Sequence, residues 1–445
     1  MNRASTLLAL AIASLAVTTG FVDQALAQEA AAEVPAAVSA DTKYVFNTIL
    51  FLMGGFLVMW MAAGFAMLEA GMVRTKNVAM QCTKNVSLFA IANLMFWVVG
   101  YNLMYDGVDG GYLGSFTPKM IPATDADAGD YAAASDWFFQ MVFCATAASI
   151  VSGTLAERIK LWPFLIFTVI LTGFIYPVQG AWKWGAGWLD GMGFSDFAGS
   201  TIVHSCGGWA ALVGAIILGA RIGKYGPKGQ VNAMPGSSMP LATLGTFILW
   251  LGWFGFNGAS QLAIGSVEDA SAVSRIFANT TIAAAAGVIV AIILSQIIYK
   301  KVDITFALNG ALAGLVAITA EPLTPSPLWS VIIGGIGGAL VVFTVPILDK
   351  LKIDDVVGAI PVHLIAGIWG TMAVPITNGD ASFGVQATGI VAVGIFVCLA
   401  SAIVWLILKY TVGLRPTPEA ERDGLDTAEI GVEAYPEFGK GSQRV

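Results

Sequence analysis

Long apolar runs decide what this chain can fold into. Eleven stretches are long and apolar enough to cross a membrane. They lie near residues 46–68, 81–103, 137–156, 161–181, 197–219, 239–259, 276–298, 304–320, 328–348, 356–376 and 385–408. Hydrophobic residues make up 57% of the chain and charged residues 11%, a composition that excludes an ordinary soluble domain. The sequence predicts an all-α polytopic membrane protein with eleven transmembrane helices.

The N-terminal segment has the features of an export signal. Arg3 precedes an apolar stretch over residues 7–17, and Ala25-Leu26-Ala27 follows as a small-x-small cleavage site. We therefore predict that residues 1–27 are a cleaved signal peptide. The alternative, an uncleaved twelfth span, needs about 20 apolar residues, and this run is shorter.

Basic residues alternate between the loops, which predicts the orientation of the chain. Loops of one set carry Arg74, Lys76, Lys84, Arg158, Lys160, Arg221, Lys224, Lys228, Lys300, Lys301, Lys350, Lys352, Lys409 and Arg415. Loops of the other set carry Lys119, Lys183 and Arg275. The positive-inside rule then places the mature N-terminus in the periplasm and the C-terminus in the cytosol of a cell with an inner membrane. Residues 28–414 form the membrane domain, and 415–445 a cytosolic tail.

The two histidines of the chain, His204 and His363, lie in matching surroundings inside apolar runs. Residues 196–208 and 355–367 both read D-x-x-G-x-x-x-V-H-x-x-x-G. The copies fall on the fifth and tenth predicted spans. The repeat unit is therefore five helices, and an odd number inverts the second copy. We predict two inverted five-helix repeats plus a final helix.

Helix geometry places the two histidines near each other. Eight residues at 1.5 Å per residue put Asp196 and Asp355 each about 12 Å along the axis from its histidine. The histidines then meet near the bilayer midplane, where ionisable side chains usually mark a substrate pathway. A packing role is the alternative for each imidazole. Two imidazoles without a third His, paired Cys or nearby acid fall short of a zinc or iron ligand set, so we predict neither a metal nor a cofactor.

Several segments taken in order resemble one known family. They are Phe139-Gln140 with Phe143, Ala156-Glu157-Arg158, Trp184-Gly185, residues 196–204, residues 252–257 with Ser260, residues 308–310 with 313–315, and residues 358–363. Along essentially the whole mature chain, the sequence resembles the ammonium transporter family (Amt/Mep/Rh), in its Amt branch of bacterial type.

The resemblance implies an eleven-helix protomer in a homotrimer with one pore per subunit. His204 and His363 match the twin-histidine pair that lines the pore, and Phe143 and Phe256 match the two phenylalanines of the outer gate. Carrying an intact ion through an apolar constriction costs several kcal/mol or more. We therefore expect ammonium to lose its proton and ammonia to pass neutral histidines, which relay the proton.

The resemblance also implies an outer site for ammonium recruitment, to which Trp184, Ser260, Phe143 and Asp196 correspond. Aromatic faces attract cations, and the serine oxygen accepts a hydrogen bond from ammonium. For Asp196 the alternative is a structural role, bonding to the backbone at the start of its helix. Net transport is electrogenic if proton and ammonia cross together, and the protein is a gas channel if the proton stays outside.

The tail resembles the family's regulatory segment at Gly424-Leu425-Asp426, Glu429, Gly431 and Ala434-Tyr435. Ile430 and Val432 stand where the family commonly has His and Glu. In the family this tail packs on neighbouring subunits and helps to dock a PII-type signalling protein. The alternative is a polar tail with only local order.

Ammonium and methylammonium are the expected substrates, and the lipid bilayer the expected surroundings. A sensor that signals through a cytosolic partner is the competing function. An enzyme would need a nucleophile with a base or a full metal set, and the sequence indicates neither. Nucleic acid is not an expected partner.

Overall fold

The computed structural model describes residues 38–121 and 129–438. We number its long helices α1 to α11 in chain order. They are Ala40–Met72, Thr75–Tyr105, Ala133–Thr154, Leu161–Ala181, Ser200–Leu218, Met239–Gln261, Val267–Tyr299, Ile304–Thr319, Pro327–Lys350, Ile360–Thr377 and Phe383–Thr411. The predicted signal peptide, residues 1–27, lies outside the described ranges.

Ten of these helices, in the described part of the chain, are long and apolar enough to cross a membrane. The eleventh, α8, has 16 residues and spans about 24 Å, against a hydrocarbon core of about 30 Å. The structure therefore confirms a polytopic helical protein. The count of eleven spans stays a prediction.

Helix packing follows the predicted five-helix repeat. The first helix of one repeat packs against the first helix of the other, α1 on α6, and the fifth packs on the fifth, α5 on α10. Within each repeat the first helix also contacts the third, α1 with α3 and α6 with α8. A glycine permits the closest approach, because a Cβ on Gly245 of α6 would overlap the backbone of Leu68 in α1.

The C-terminal tail binds the end of the bundle at which α11 finishes, which we call the tail end; the opposite end is the far end. The carboxylate of Asp426 accepts hydrogen bonds from the backbone N–H groups of Ala79 (3.0 Å) and Met80 (2.8 Å) in α2. Glu429 accepts one from the N–H of Leu161, where α4 begins, at 3.2 Å. These long-range bonds contradict the alternative of a tail with only local order.

A buried ion cluster joins the helices at the tail end. Arg221, after α5, donates to both carboxylate oxygens of Asp354, which precedes α10, at 2.8 and 2.9 Å. The same guanidinium lies 3.2 Å from Glu157, which also pairs with Arg74. Burial alone would raise the pKa of Asp354, but hydrogen bonds from Arg221 and the charges of Arg158 and Arg221 outweigh burial and hold the pKa well below its ordinary value of 3.8.

We expect Asp354→Asn to lower the free energy of unfolding by about 3–5 kcal/mol, because Arg221 loses the nearer of its two carboxylate partners while it stays buried. The ionised Asp354 carboxylate stabilises the fold fully above pH 3.8, its ordinary pKa. This stabilisation declines as the pH falls towards the lower pKa that Asp354 has in the folded protein. Thermal unfolding in detergent at neutral pH measures the loss.

Asp349→Asn is the matched control. Asp349 pairs with Lys224 at 3.3 Å and is a quarter exposed, so its loss costs at most about 1 kcal/mol. Equal destabilisation by both variants would contradict the assigned importance of the buried cluster.

Candidate functional site

The start of α5 is fixed by a single carboxylate. Asp196 Oδ1 accepts hydrogen bonds from the N–H groups of Gly199 (3.0 Å) and Ser200 (2.8 Å). Its Oδ2 accepts from Thr201 and Ile202, both at 2.9 Å. Asp196 thus satisfies four of the N–H groups that a helix start leaves without intrahelical partners. The structural alternative for Asp196 matches this geometry.

The second copy of the motif has the same arrangement at the start of α10. Asp355 accepts from the N–H groups of Gly358 (3.1 Å) and Ile360 (2.7 Å). Gly199 and Gly358 both adopt positive φ, +106° and +81°, and each turns the chain into its helix. The estimate of about 12 Å of helix between aspartate and histidine is therefore wrong, because the helices begin only at Ser200 and Ile360.

The structure brings the two histidines together. Nδ1 of His204 lies 3.2 Å from Nδ1 of His363, and the rings stack at 5.2 Å between centroids. Both side chains are buried, and the ring of His204 also stacks on Trp253 at 5.0 Å. One Nδ1 must donate and the other accept, so the two imidazoles hold different tautomers or one shared extra proton.

Two phenylalanine rings cover the histidine pair on its far-end side. Phe143 and Phe256 are buried and stack with 4.0 Å between centroids. Phe256 in turn stacks on His204 at 5.1 Å.

A cavity of about 340 Å³ lies beyond these rings at the far end, and we call it the far-end cavity. Phe143, Trp184 and Ser260 all line it. The Ser260 hydroxyl donates to the carbonyl of Phe256 at 2.7 Å, which leaves its oxygen lone pairs free to accept. Asp196 is not among the lining residues, but its carbonyl accepts a hydrogen bond from Trp184 Nε1 at 2.9 Å. The backbone carbonyl of Asp196 therefore helps to fix the orientation of the Trp184 indole.

The far-end cavity also holds an acid that sequence reasoning missed. Asp136 lines its wall together with Tyr101, Tyr105 and Tyr131. Its carboxylate accepts a hydrogen bond from the Tyr101 hydroxyl. The available signal was helical spacing, because Asp136 lies seven residues before Phe143 and so on the same face of α3.

On the other side of the pair, a narrow path leads towards the tail end. A small cavity of about 10 Å³, the central cavity, has room for about one water molecule. Its lining includes Phe65, Glu69, Gly153, Asn309, Val357 and His363. Asn309 and Val357 also line a cavity of about 230 Å³ at the tail end. Among the described residues, a wide cavity therefore lies at each end of this route, and the small central cavity and the histidine pair lie between them.

This arrangement suits a small cation that has protons to lose. The far-end cavity offers aromatic faces, a serine oxygen and a carboxylate, whereas the stacked rings beyond it offer no ligand to a charged ion. The imidazole pair can accept a proton and pass it on. No group of three or more His, Cys, Asp or Glu side chains that could hold a metal ion was found within residues 38–121 and 129–438.

Comparison with known proteins identifies relatives along nearly the whole chain. The sequence profile of the Ammonium Transporter Family matches residues 49–435. Ammonium transporter Amt2 of Archaeoglobus fulgidus is 43% identical over 418 residues, which cover 87% of each chain. A putative ammonium transporter of Synechocystis sp. is 39% identical over 398 residues, 88% of this chain and 90% of its own.

Solved structures give the same result. A protein described as Sensor Amt Protein matches with a TM-score of 0.83 and 36% identity, over 88% of this chain and all of its own. Candida albicans Mep2 matches with a TM-score of 0.75 over 86% of this chain and 89% of its own, at 24% identity, and shares the fold.

Proposed function

The chain belongs to the ammonium transporter family, and on this basis we propose that it recruits ammonium in the far-end cavity, deprotonates it, and conducts ammonia past His204 and His363. The observation that carries this mechanism is the direct contact of the two buried imidazoles beneath the stacked phenylalanine rings.

Recruitment depends on four side chains of the far-end cavity. The faces of Trp184 and Phe143 attract ammonium, by about 0.5–2 kcal/mol. Ser260 accepts a hydrogen bond from the ion, since its own proton is held by Phe256. Asp136 adds a negative charge on the cavity wall. Asp196 acts indirectly, by holding the Trp184 ring.

Selection follows from the stacked rings of Phe143 and Phe256, the proposed outer gate. An ion that stays charged loses its hydration there without gaining ligands, at a cost of several kcal/mol. Potassium has no proton to lose and bears this cost in full. Ammonium avoids it, because it gives its proton to the imidazole of His204, which stacks on Phe256, and crosses as ammonia.

The histidine pair then provides the proton path. Each neutral imidazole has one nitrogen that donates and one that accepts, so a proton taken up by His204 releases another from His363 through their shared hydrogen bond. If the relayed proton follows ammonia through the pore, net transport carries one positive charge for each ammonium ion.

The orientation and assembly are further parts of the proposal. The tail end faces the cytosol, because the loops with more Arg and Lys lie there, and the far end faces the periplasm across an inner membrane after removal of residues 1–27. The protein forms a homotrimer with one pore per subunit. The docked tail gives a PII-type signalling protein a fixed surface at the tail end.

An ammonium sensor is the second candidate. It is favoured by the 36% identity with the protein described as Sensor Amt Protein. A sensor binds ammonium in the far-end cavity but carries little flux, so the two candidates differ in transport and not in binding.

Uptake of radiolabelled methylammonium into proteoliposomes tests the proposal. We expect uptake above that of protein-free vesicles, with competition by ammonium and none by potassium. Ammonium binding without uptake would contradict transport and favour the sensor.

We expect Asp136→Asn to raise the ammonium concentration needed for half-maximal uptake by about ten-fold, the effect of roughly 1.4 kcal/mol of lost attraction. Asp130→Asn is the control, because Asp130 is an exposed acid near the same end that does not line the cavity. An equal rise of this concentration in both variants would indicate a general surface-charge effect. An unchanged concentration in Asp136→Asn would show that this carboxylate takes no part in recruitment.

A further inference from the structure

A buried carboxylate lines the central cavity and has no place in the mechanism above. Glu69 of α1 is 1% exposed. Its Oε2 accepts hydrogen bonds from Asn85 (2.7 Å), Ser152 (2.8 Å) and Gln81. Its Oε1 has no hydrogen-bond partner in the described part of the chain. Among the described residues, one oxygen of this carboxylate therefore accepts three hydrogen bonds and the other accepts none.

The unpartnered oxygen faces the central cavity. Glu69 and His363 both line that cavity, and Phe65, one helical turn before Glu69, has its ring centroid 6.1 Å from that of His363. Gly153 lines the same cavity and lies beside this oxygen, because a Cβ there would be 3.4 Å from Oε1. The cavity has room for about one water-sized molecule, and the side chains of both His363 and Glu69 line it.

A buried lysine balances the charge of this carboxylate. Lys84 is fully buried, and its ammonium donates to the carbonyl of Ser152 at 2.8 Å. Ser152 thus links the two, since its hydroxyl donates to Glu69. The described residues place no other acid or base on the central cavity besides Glu69 and His363. An unpaired buried polar atom costs about 1–3 kcal/mol, so a role for Oε1 at the cavity would account for its free state.

Building on the proposed transport function, we infer that Glu69 is the proton-binding site at the cytosolic end of the histidine pair. The proton that leaves ammonium and reaches His363 is transferred through one water molecule in the central cavity to Oε1, which turns the carboxylate into a carboxylic acid. Ammonia then replaces this water in the cavity and takes the proton: the O–H bond breaks, an N–H bond forms, and ammonium and the carboxylate result. Charge and protons balance, and Glu69 is ready for the next cycle.

The position of Glu69 fits this role better than that of Asp355. The Asp355 carboxylate is occupied by backbone N–H groups and by the Thr154 hydroxyl at 3.1 Å. Glu69, by contrast, keeps one oxygen free on the side of the pore.

The test measures ammonium-evoked currents in proteoliposomes for the wild type, Glu69→Gln, Glu69→Asp and the double variant Glu69→Gln with Lys84→Met. Glutamine keeps the size of the side chain but cannot bind and release the proton. We expect Glu69→Gln to reduce the current at least about ten-fold, the lower range for loss of an acid–base group. Glu69→Asp, which retains a carboxylate, should restore a large part of it.

The double variant separates proton transfer from charge balance, because it removes both buried charges together and leaves no unpaired buried lysine to destabilise the fold. A low current in the double variant supports the inference. A wild-type current in Glu69→Gln or in the double variant would overturn it, as would equal loss in Glu69→Gln and Glu69→Asp with recovery in the double variant. Absence of current in the wild type would instead count against electrogenic transport itself.

Discussion

Loss of both pore histidines, through His204→Ala with His363→Ala, is expected to reduce the ammonium-evoked current of proteoliposomes at least about 100-fold, in line with removal of a general acid–base group. The structure gives the reason. The two Nδ1 atoms lie 3.2 Å apart between the stacked rings and the central cavity, and alanine offers no group that accepts the proton of ammonium. Currents are compared at equal amounts of reconstituted protein.

The matched control for this variant is Ser401→Ala on α11. Ser401 is fully buried but lines none of the three cavities along the path, so its loss tests the effect of truncating a buried polar side chain. We expect a current close to that of the wild type. An ammonium-specific current above about a tenth of the wild-type value in the double histidine variant would contradict proton relay through the pair.

Asp196→Asn is expected to have the second-largest effect. An asparagine oxygen can serve two of the four N–H groups that the carboxylate now serves, and two buried donors lose their partner. At about 1–3 kcal/mol each, the free energy of unfolding falls by roughly 2–6 kcal/mol. The shifted carbonyl also releases the Trp184 ring. Thermal unfolding and methylammonium uptake measure the two consequences.

Asp355→Asn is the control at the equivalent position of the second repeat. Asp355 accepts from the N–H groups of Gly358 and Ile360 and from Thr154, and it holds no aromatic ring of the far-end cavity. We expect a smaller loss of stability and a smaller rise in the substrate concentration for half-maximal uptake. An effect on recruitment as large as that of Asp196→Asn would show that the aspartate acts through the helix start and not through Trp184.

Much of the fold could be predicted from the sequence because two signals in it are strong. Apolar runs of spanning length mark the helices, and the repeated D-x-x-G-x-x-x-V-H-x-x-x-G pattern relates α5 to α10. This pattern also predicts that His204 and His363 meet, since inverted repeats place equivalent residues about a common axis.

Other features depend on three-dimensional contacts that no spacing reveals. Positive φ at Gly199 and Gly358 delays the start of both helices, so the aspartates cap them from outside. In the sequence, Asp136 ends a predicted loop, and only the fold shows that it lines the far-end cavity and accepts a hydrogen bond from Tyr101 of α2. In the sequence, Glu69 is only a polar residue near the end of a predicted span. The structure is needed to show that it lines the central cavity and that its Oε1 has no hydrogen-bond partner among the described residues.

The measurement that tests the central claim most directly is the current evoked in wild-type proteoliposomes by an ammonium pulse and by an equal potassium pulse. Deprotonation followed by proton relay through the histidine pair predicts a current with ammonium and none with potassium, although the two ions are nearly the same size. Comparable currents from both ions would show that a charged ion passes the Phe143 and Phe256 rings intact, and would contradict the account.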